Sequence, residues 1–492
     1  MSLPGTQGMT GYETVVGLEC HVELATATKM FCGCANEFGA APNTNVCPIC
    51  LGHPGTLPVP NRIAIEHTIK IGLALGCRIA PYSVFHRKNY FYPDMPKNYQ
   101  ISQYDLPLCV EGSLDLQVDG VTRRVGITRV HLEEDTGKSL HVGATGRIAG
   151  ADHSLEDYNR AGVPLVEVVS EPDMRSAEEA RAYLVELRSV LESLGVSDVR
   201  MEEGSLRCDA NISVRARGEE ALGVKAEIKN LNSIRSLYRA VRFEEERHRD
   251  ALENGAPLVQ ETRHWDEGRG VTSPMRSKEF AFDYRYFPEP DLSPIEPDAE
   301  WIEKLRAELP ELPAARRARF QSEYALEARH AALVGTAGET ARFFEEAVSL
   351  GADPRAAANW MTGDVAGALR ESKLSLTESK VTPAHLADLV RLVADQTISS
   401  AGAKAALADA FATGAPIEDI VEMKGLTQVS DTAALDTVIE EVISENPGPV
   451  EQFRGGKEGA VNALVGQVMR KTKGAANPKV AVDLLRRRLA SR

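Results

Sequence analysis

Hydrophobic and polar residues alternate with a period of two along several short segments in the first part of the chain. The clearest is residues 206–215, where apolar residues at even positions alternate with polar residues at odd positions. The same alternation runs through residues 18–24 and, less regularly, through residues 224–229. This pattern predicts β-strands with one face in a hydrophobic core and the other face polar.

Helical signals interrupt these strands and then replace them. Ser176 and Glu179 form a capping box at the start of a predicted helix that ends at Gly195, and a second helix is predicted over residues 233–253. After about Pro297 the helical pattern dominates. We therefore predict an α+β fold, with a mixed α/β region first and an all-helical region after it.

Residues 286–297 are rich in proline, which favours extended, irregular backbone, and this stretch is the best candidate for a linker or a domain boundary. A further division is placed near residue 413. The predicted domains are thus residues 1–297, a helical domain at 298–412 and a helical tail domain at 413–492.

Composition excludes several classes of protein. No apolar run approaches the roughly 18 residues that span a bilayer, so we expect no membrane segment. The first ten residues lack a basic region followed by an apolar core, so we expect no secretory signal and a cytoplasmic location.

Charge is distributed unevenly along the chain. The 56 Lys and Arg residues against 71 Asp and Glu residues give a net charge of −15, which is not typical of a nucleic-acid-binding protein. Residues 454–492, however, hold ten basic and two acidic residues. The basic ones are Arg454, Lys457, Arg470, Lys471, Lys473, Lys479, Arg486, Arg487, Arg488 and Arg492. This tail is either a solvated helical face or a surface that contacts phosphates.

Four of the eight cysteines form two close pairs, Cys32 with Cys34 and Cys47 with Cys50. Two pairs of thiolates can hold one tetrahedral ion, so the spacing predicts a structural zinc knuckle over residues 32–50. Disulfides are the competing interpretation, which a cytosolic compartment disfavours. The other four cysteines lie among apolar residues and are predicted to be in the core.

Carboxylates at strand positions suggest a second metal site. Glu19 and His21 share the polar face of one strand, and Glu134 belongs to the run Glu133–Asp135 that closes another. Glu167 lies within an apolar strand, where a carboxylate is costly unless it is paired or metal-bound. If these four residues meet, the oxygen-rich set suits Mg²⁺ and implies a phosphate-bearing ligand. A solvated or hydrogen-bonded polar face is the alternative.

Residues 136–139 resemble the end of a phosphate-binding loop, but Leu132 stands where that loop requires glycine, so a P-loop enzyme is rejected. Lys138 is then either a phosphate contact or an exposed loop lysine. Dinucleotide-binding, serine-hydrolase and zinc-protease motifs are also missing from the sequence.

Longer motifs carry a resemblance to a known family. Residues 17–24 read Gly-Leu-Glu-Cys-His-Val-Glu-Leu, and further matching stretches follow along nearly the whole chain, at 87–94, 99–103, 131–139, 157–160, 164–172, 201–213, 227–233, 283–290 and 464–467. Together they resemble the B subunits of the bacterial glutamine-dependent aspartyl/glutamyl-tRNA amidotransferases.

The resemblance implies a cradle domain with an ATP site, a helical domain and a tail that docks on tRNA. It implies a carbon–nitrogen ligase that acts with an amidase, the A subunit, and with a small protein, the C subunit. ATP would phosphorylate the side-chain carboxylate of misacylated Glu-tRNA(Gln), Asp-tRNA(Asn) or both, and ammonia channelled from the amidase would displace the phosphate.

The family's Mg²⁺ site corresponds to Glu19, His21, Glu134 and Glu167, and its zinc knuckle to the four paired cysteines. Candidate ATP contacts on the polar faces and loops are Lys138, Arg207, Asp209, Asn211 and Lys229. The segment 142–153 is longer than in some members. A metal-dependent phosphohydrolase and a non-catalytic tRNA-binding scaffold are the alternative functions.

Overall fold

The computed structural model describes residues 11–143, 150–275, 283–428, 432–472 and 476–490. Residues 1–10, residues 144–149 of the long segment, and Lys473 and Arg492 of the basic tail lie outside the described residues. The chain forms two compact units, Met1–Pro313 and Ala314–Arg492. Within the described ranges, no helix is long and apolar enough to cross a membrane.

The first unit is built on a large mixed β-sheet. Its strands, with those of two smaller sheets, are β1 Tyr12–Glu23, β2 Arg78–Ile79, β3 His86–Asn89, β4 Tyr99–Ser102, β5 Cys109–Val118, β6 Val121–Glu134, β7 Lys138–Gly143, β8 Ala151–Asp157, β9 Pro164–Ser170, β10 Leu206–Ala216, β11 Ala226–Leu231, β12 Glu261–Asp266, β13 Val271–Pro274 and β14 Phe287–Pro288. The nine-stranded sheet has the order β13-β12-β11-β10-β1-β9-β6-β5-β2, and β14-β3-β4 and β7-β8 form the smaller sheets. Neighbouring strands of the large sheet are antiparallel except β11 and β12.

One face of the large sheet is covered by helices. The helices described in this unit are α1 Arg62–Ala74, α2 Ala177–Leu194, α3 Ile234–Glu253 and α4 Ala299–Ala307. Leu18 and Ala210 of the sheet share one buried core with Leu184 of α2 and Val241 of α3. The alternation predicted for β1 and β10 is confirmed, and its polar positions form the opposite face of the sheet.

The predicted helix starts are confirmed. The Ser176 side chain accepts a hydrogen bond from the Glu179 backbone N–H at the start of α2, and Gly195 ends that helix with a positive φ of 66°, a conformation that glycine adopts without strain. The Ser233 side chain caps α3 in the same way. Local sequence therefore determines where these helices begin and end.

The proline-rich stretch 286–297 is not a free linker. Phe287 pairs with Arg87 of β3, and Ile295 is buried in the core. The Arg87 guanidinium donates two hydrogen bonds of 2.7 Å to the fully buried Glu289 carboxylate. The segment is held as part of the first unit because its backbone and charged groups find partners there.

The unit boundaries differ from the predicted ones. The first unit continues past Pro297, since Leu305 of α4 is buried in its core and Trp301 donates a hydrogen bond of 3.1 Å to Glu66. In the second unit, Ile417 and Ile420 pack with residues before position 413. The functional division into three domains stays a prediction.

The second unit is helical, as predicted. Its helices are α5 Pro313–Glu323, α6 Ala328–Gly335, α7 Gly338–Ser349, α8 Pro354–Trp360, α9 Ala366–Ser372, α10 Pro383–Ala394, α11 Ser400–Thr413, α12 Ile417–Lys424, α13 Thr432–Glu445, α14 Pro447–Arg454, α15 Val461–Lys471 and α16 Pro478–Ala490, with a π-helical turn at Met361–Val365 and a 3₁₀ turn at Glu458–Ala460. Two apolar clusters stabilise it, one between Phe320 and Val421 and one between Leu435 and Leu489.

Candidate functional site

Four central strands of the large sheet place polar side chains in one row. His21 of β1 pairs with Arg207 of β10 on one side and with Glu167 of β9 on the other. Glu167 pairs in turn with His131 of β6. Directly paired residues project from the same face of a sheet, so these four side chains share the face that the helices leave open.

Glu133 joins two members of this row to form a carboxylate–histidine cluster. His21 Nε2 lies 3.9 Å from Glu133 Oε1 and 3.8 Å from Glu167 Oε2. One potential ligand atom from each of the three residues lies within 4.8 Å of the others. Ser102 Oγ donates a hydrogen bond of 3.0 Å to Glu133 Oε2 and orients that carboxylate. Two carboxylates and one imidazole fit a divalent cation, and the oxygen-rich donor set favours Mg²⁺.

His131 interacts with both carboxylates of the cluster. Its Nε2 lies 3.1 Å from Glu167 Oε2 and 3.6 Å from Glu133 Oε2. Burial lowers the pKa of His131, but hydrogen bonds and charge interactions with Glu133 and Glu167 outweigh burial and raise its pKa to about 9. The imidazole also holds the pKa of each carboxylate below its usual range, although burial opposes this. Both carboxylates are therefore ionised at neutral pH.

The cluster opens into a cleft of about 410 Å³, here called the carboxylate–histidine cleft, which also contains Glu19, Asp209, Glu227 and Lys229. Glu19 Oε1 accepts a hydrogen bond of 2.9 Å from Asn211 Nδ2. Lys229 Nζ lies 2.7 Å from Asp209 Oδ2 and 2.9 Å from Glu227 Oε1. Burial lowers the pKa of Lys229, but these two carboxylates outweigh it and raise the pKa. The structure thus gathers Glu19, Asp209, Asn211 and Lys229 around the cluster.

Glu134, in contrast, lies outside the cluster. Its carboxylate pairs with Lys97 and accepts a hydrogen bond of 2.8 Å from the Ile101 backbone N–H. It lines a different cleft, beside Cys32 and Cys50. Because side chains alternate along a strand, Glu133 and Glu134 cannot both face the same side of β6. Of the expected set, the structure brings His21 and Glu167 together with Glu133, places Glu19 in the adjoining cleft and leaves Glu134 in another.

Three of the predicted ATP contacts do not line the cleft: Asn211, which is connected to it through its hydrogen bond with Glu19, and also Arg207 and Lys138. Arg207 shares the row with His21, but its guanidinium forms an ion pair with Asp135 at the end of β6. Lys138 is the exposed first residue of β7. Neither of these two side chains lines the cleft, and their role as ATP contacts stays a prediction.

Sequence reasoning missed several residues of the cleft. The alternation of β6 places His131 and Glu133 on one face, so applying the strand period to this segment would have found both. Lys88, Tyr284 and Tyr286 also line the cleft. They come from the β3 strand and from the segment before β14, which pair across a long separation in the chain and leave no local signal.

The four paired cysteines come together as predicted. Cys32, Cys34, Cys47 and Cys50 each place an Sγ atom within 4.8 Å of the others. A hydrogen bond from the Cys32 thiol, with the nearby Lys29 ammonium, lowers the pKa of Cys50 to about 5 despite burial. Lys29 is 1% exposed, and its Nζ lies 3.8 Å from Cys50 Sγ.

Four thiol groups that surround one point, with a buried cation beside them, fit a tetrahedral metal ion. All eight cysteines are free thiols in the described structure. The four cysteines outside this cluster are buried in the core, as predicted. They are Cys20, Cys77, Cys109 and Cys208.

Comparison with known proteins places this arrangement in a family. The family described as the GatB/GatE catalytic domain matches residues 14–303, and the family described as the GatB domain matches residues 342–489. The chain belongs to the GatB family. The GatB match to residues 14–303 contains the carboxylate–histidine cleft and the cysteine cluster.

Several relatives are similar over their full length. The B subunit of the aspartyl/glutamyl-tRNA(Asn/Gln) amidotransferase of Moorella thermoacetica is 53% identical over 97% of this chain and 100% of the relative. The protein of the same name from Carboxydothermus hydrogenoformans is 50% identical over 98% of this chain and 100% of the relative. That from Synechococcus elongatus is 50% identical over 98% of each chain.

Proposed function

We propose that this chain is the subunit of a tRNA-dependent amidotransferase that activates the side-chain carboxylate of Glu or Asp misacylated onto tRNA(Gln) or tRNA(Asn). The observation that carries the proposal is the carboxylate–histidine cluster of His21, Glu133 and Glu167 on the open face of the sheet, in a chain of the GatB family. The overall reaction gives Gln-tRNA(Gln) or Asn-tRNA(Asn).

Amidation of a carboxylate needs a leaving group, because the carboxylate anion repels the lone pair of ammonia. The side-chain oxygen attacks the γ-phosphorus of ATP, the bond from phosphorus to the bridging oxygen breaks, and ADP leaves. Ammonia then attacks the carbonyl carbon of the acyl phosphate, phosphate leaves, and a proton passes to solvent. No covalent intermediate with the protein is required.

His21, Glu133 and Glu167 would hold the Mg²⁺ ion, with Glu19 of the original set beside them. When bound, the ion offsets the charge of the phosphoryl group. The residues of the cleft supply the rest. Ser102 and His131 orient the two carboxylates, and Asn211 orients Glu19. Lys229 offers a cation close to the cluster for the phosphate groups of ATP.

The other components of the proposal concern partners. An amidase hydrolyses glutamine to supply ammonia, and a third, small protein makes the complex a heterotrimer. Zinc bound by the cysteine cluster fixes the loop that carries it, and the basic tail contacts tRNA phosphates. These assignments rest on the resemblance, on the geometry of the thiols and on the charge of residues 454–492.

ADP release by the reconstituted complex tests the proposal. The chain, with its amidase and small subunits, is incubated with ATP and Mg²⁺ and with Glu-tRNA(Gln), Asp-tRNA(Asn) or the same tRNAs uncharged. We expect ADP release to depend on a misacylated tRNA, and the tRNA that stimulates it identifies the substrate. Release that is indifferent to tRNA would instead indicate a phosphohydrolase, and no release at all would indicate a binding scaffold.

A further inference from the structure

A second pocket adjoins the carboxylate–histidine cleft and differs from it in chemistry. This pocket, here called the aromatic pocket, is lined by Tyr90, Phe91, Tyr92 and Tyr284, with Asp94 and two lysines. Its volume is about 520 Å³. The Tyr90 and Tyr284 rings meet edge to face with centroids 6.4 Å apart. The contacting rings of Tyr90 and Tyr284 therefore form one side of the pocket.

Phe91 and Tyr92 are unusually exposed for aromatic residues. Phe91 is 83% exposed, the highest value among the large hydrophobic residues that the structure describes, and Tyr92 is 43% exposed. Exposed apolar groups that line a concavity mark a binding surface more often than single scattered ones do. A planar ligand that stacks on these rings would remove them from water.

The aromatic pocket and the cleft are adjacent. Lys88, Lys229 and Tyr284 line both of them. Lys88 Nζ lies 5.0 Å from the centroid of the Tyr284 ring, in a cation–π contact between the two spaces. A ligand with a flat ring in the aromatic pocket can thus extend a polar group towards the metal cluster.

We propose that the aromatic pocket binds the adenine ring of the 3′-terminal adenosine of the misacylated tRNA. This inference rests on the proposed function, in which the amino acid esterified to that adenosine must reach the cleft. Stacking of a base on aromatic side chains contributes affinity without requiring a particular base sequence, which suits a terminus that is the same in all tRNAs.

ATP also contains an adenine ring, but a different pocket fits the adenine of ATP better. A slot lined by Val15, Pro172, Asn211 and Leu222 adjoins the cleft at Glu19 and shares no lining residue with the aromatic pocket. Asn211 donates its amide N–H to Glu19, and its buried Oδ1 has no hydrogen-bond partner among the residues that the structure describes. An unpaired buried acceptor is costly, and the exocyclic amine of adenine would satisfy it.

The direction of phosphoryl transfer favours this division. The attacking and leaving oxygens lie roughly in line on opposite sides of the phosphorus. ADP and the aminoacyl group must therefore approach the cluster from different sides. The slot meets the cleft at Glu19 and the aromatic pocket meets it at Tyr284, so two ligands could enter the cleft past different residues.

The test uses the reconstituted complex with variants of Phe91. We expect Phe91→Ala and Phe91→Leu each to raise the KM for misacylated tRNA by about tenfold, the order of the loss of one stacked base, while the KM for ATP stays unchanged. Phe91→Trp should restore a low KM because it restores a ring. Phe38→Ala is the matched control, since Phe38 is 77% exposed but lies outside the pocket.

A stable mimic of the terminus separates the base from the rest of the tRNA. In the wild-type complex, 3′-glutamylamino-3′-deoxyadenosine should inhibit more strongly than the same compound without its base, and Phe91→Leu should remove that difference. A raised KM for ATP with an unchanged KM for tRNA would assign the ring to ATP and overturn the proposal. Loss of complex assembly on size-exclusion chromatography would assign the surface to contacts within the complex and overturn it too.

The proposed function and this inference fail in different ways. If the wild-type complex forms no ADP with any misacylated tRNA, the proposed function is wrong. If it does form ADP and all Phe91 variants keep the wild-type KM for tRNA, only the aromatic pocket has been assigned wrongly.

Discussion

Glu133 and Glu134 are consecutive residues of β6, and their carboxylates line different clefts. Glu133 lies in the cluster with His21 and Glu167, whereas Glu134 pairs with Lys97. This relationship separates two versions of the metal site that differ by one position in the sequence.

We predict that Glu133→Gln raises the Mg²⁺ concentration for half-maximal ADP formation by about tenfold or more, because one ligand loses its charge. Glu134→Gln breaks the contact with Lys97 and should lower thermal stability, but it should leave the Mg²⁺ requirement unchanged. Titration of ADP release with Mg²⁺ measures both variants. The reverse ranking would return Glu134 to the metal site.

Glu167, like Glu133, contacts both His21 and His131, and its 3.1 Å distance to His131 Nε2 is the shortest of these four. We predict that Glu167→Gln abolishes the ADP release that depends on misacylated tRNA, by at least about a hundredfold, since the ion and both imidazoles lose a charged partner. Circular dichroism and tRNA binding should match the wild type. Retained activity would remove Glu167 from the site.

The cysteine cluster predicts a bound metal. The purified chain should contain about one zinc ion, and Cys47→Ser should lose it and melt at a lower temperature, because a closed metal site contributes to folding. Cys77→Ala, a substitution of a buried core cysteine, should keep its zinc even though it leaves a small cavity. The zinc content per chain is measured after dialysis against a weak chelator. The same zinc content in Cys47→Ser and Cys77→Ala would argue against a metal site at the cysteine cluster.

A buried ionic network on α3 predicts loss of stability at acid pH. The fully buried Glu244 carboxylate contacts His248 and Arg247 on its own helix and Arg263 and Thr272 on β12 and β13. Burial would raise the pKa of Glu244, but these partners outweigh it and lower the pKa to about 2 from an ordinary 4.5. The stabilisation is therefore complete above pH 4.5 and is lost as the pH falls towards 2.

The corresponding measurement is urea unfolding followed by tryptophan fluorescence at several pH values. At pH 7, Glu244→Gln should lower the free energy of unfolding by roughly 3 kcal/mol, and its stability should fall less steeply below pH 4.5. Glu246→Gln is the control, because its ion pair with Arg242 is exposed and weak. Parallel acid curves for the wild type and Glu244→Gln would show that the network does not determine acid stability.

The basic tail can be tested without removing it. Truncation would expose apolar residues such as Leu435, which packs against α15 and α16. Lys471 is engaged with Glu441 and Glu445, whereas no ion pair is described for Arg470 or Lys479 within the described tail. We predict that Arg470→Ala with Lys479→Ala weakens tRNA binding and reduces its salt dependence by about 0.7–0.9 in slope per lost phosphate contact. Lys471→Ala should weaken tRNA binding and its salt dependence less. If all variants bind tRNA with the same dependence on salt concentration, the tail is only a solvated helical face.

Local patterns predicted much of this fold. The strand alternation around Glu19 and Asp209 and the caps at Ser176 and Ser233 are local, and the structure confirms those elements. The contacts of the proline-rich stretch could not be predicted, because proline content reports backbone geometry only. The buried pair of Arg87 with Glu289 depends on residues about two hundred positions apart, which composition does not reveal.

Strand periodicity predicts those residues of the candidate site that lie at polar positions within strands. His21 and Glu167 follow from polar positions within strands, and the same rule applied to β6 selects Glu133 in place of Glu134. The aromatic pocket was not predictable, since Tyr284 approaches Lys88 only after β14 has paired with β3. That pairing is a property of the assembled unit.

The row that contains His21, Glu167 and His131 also fixes the dimensions of the site. Neighbouring strands are spaced by about 4.8 Å through their backbone hydrogen bonds. The distances between the backbones that carry these side chains are therefore fixed by the sheet. We expect the amide hydrogens of the central strands to exchange with solvent only when the whole unit opens. Adaptation to a glutamyl or an aspartyl side chain, which differ by one methylene, must then come from the residues at the rim of the cleft.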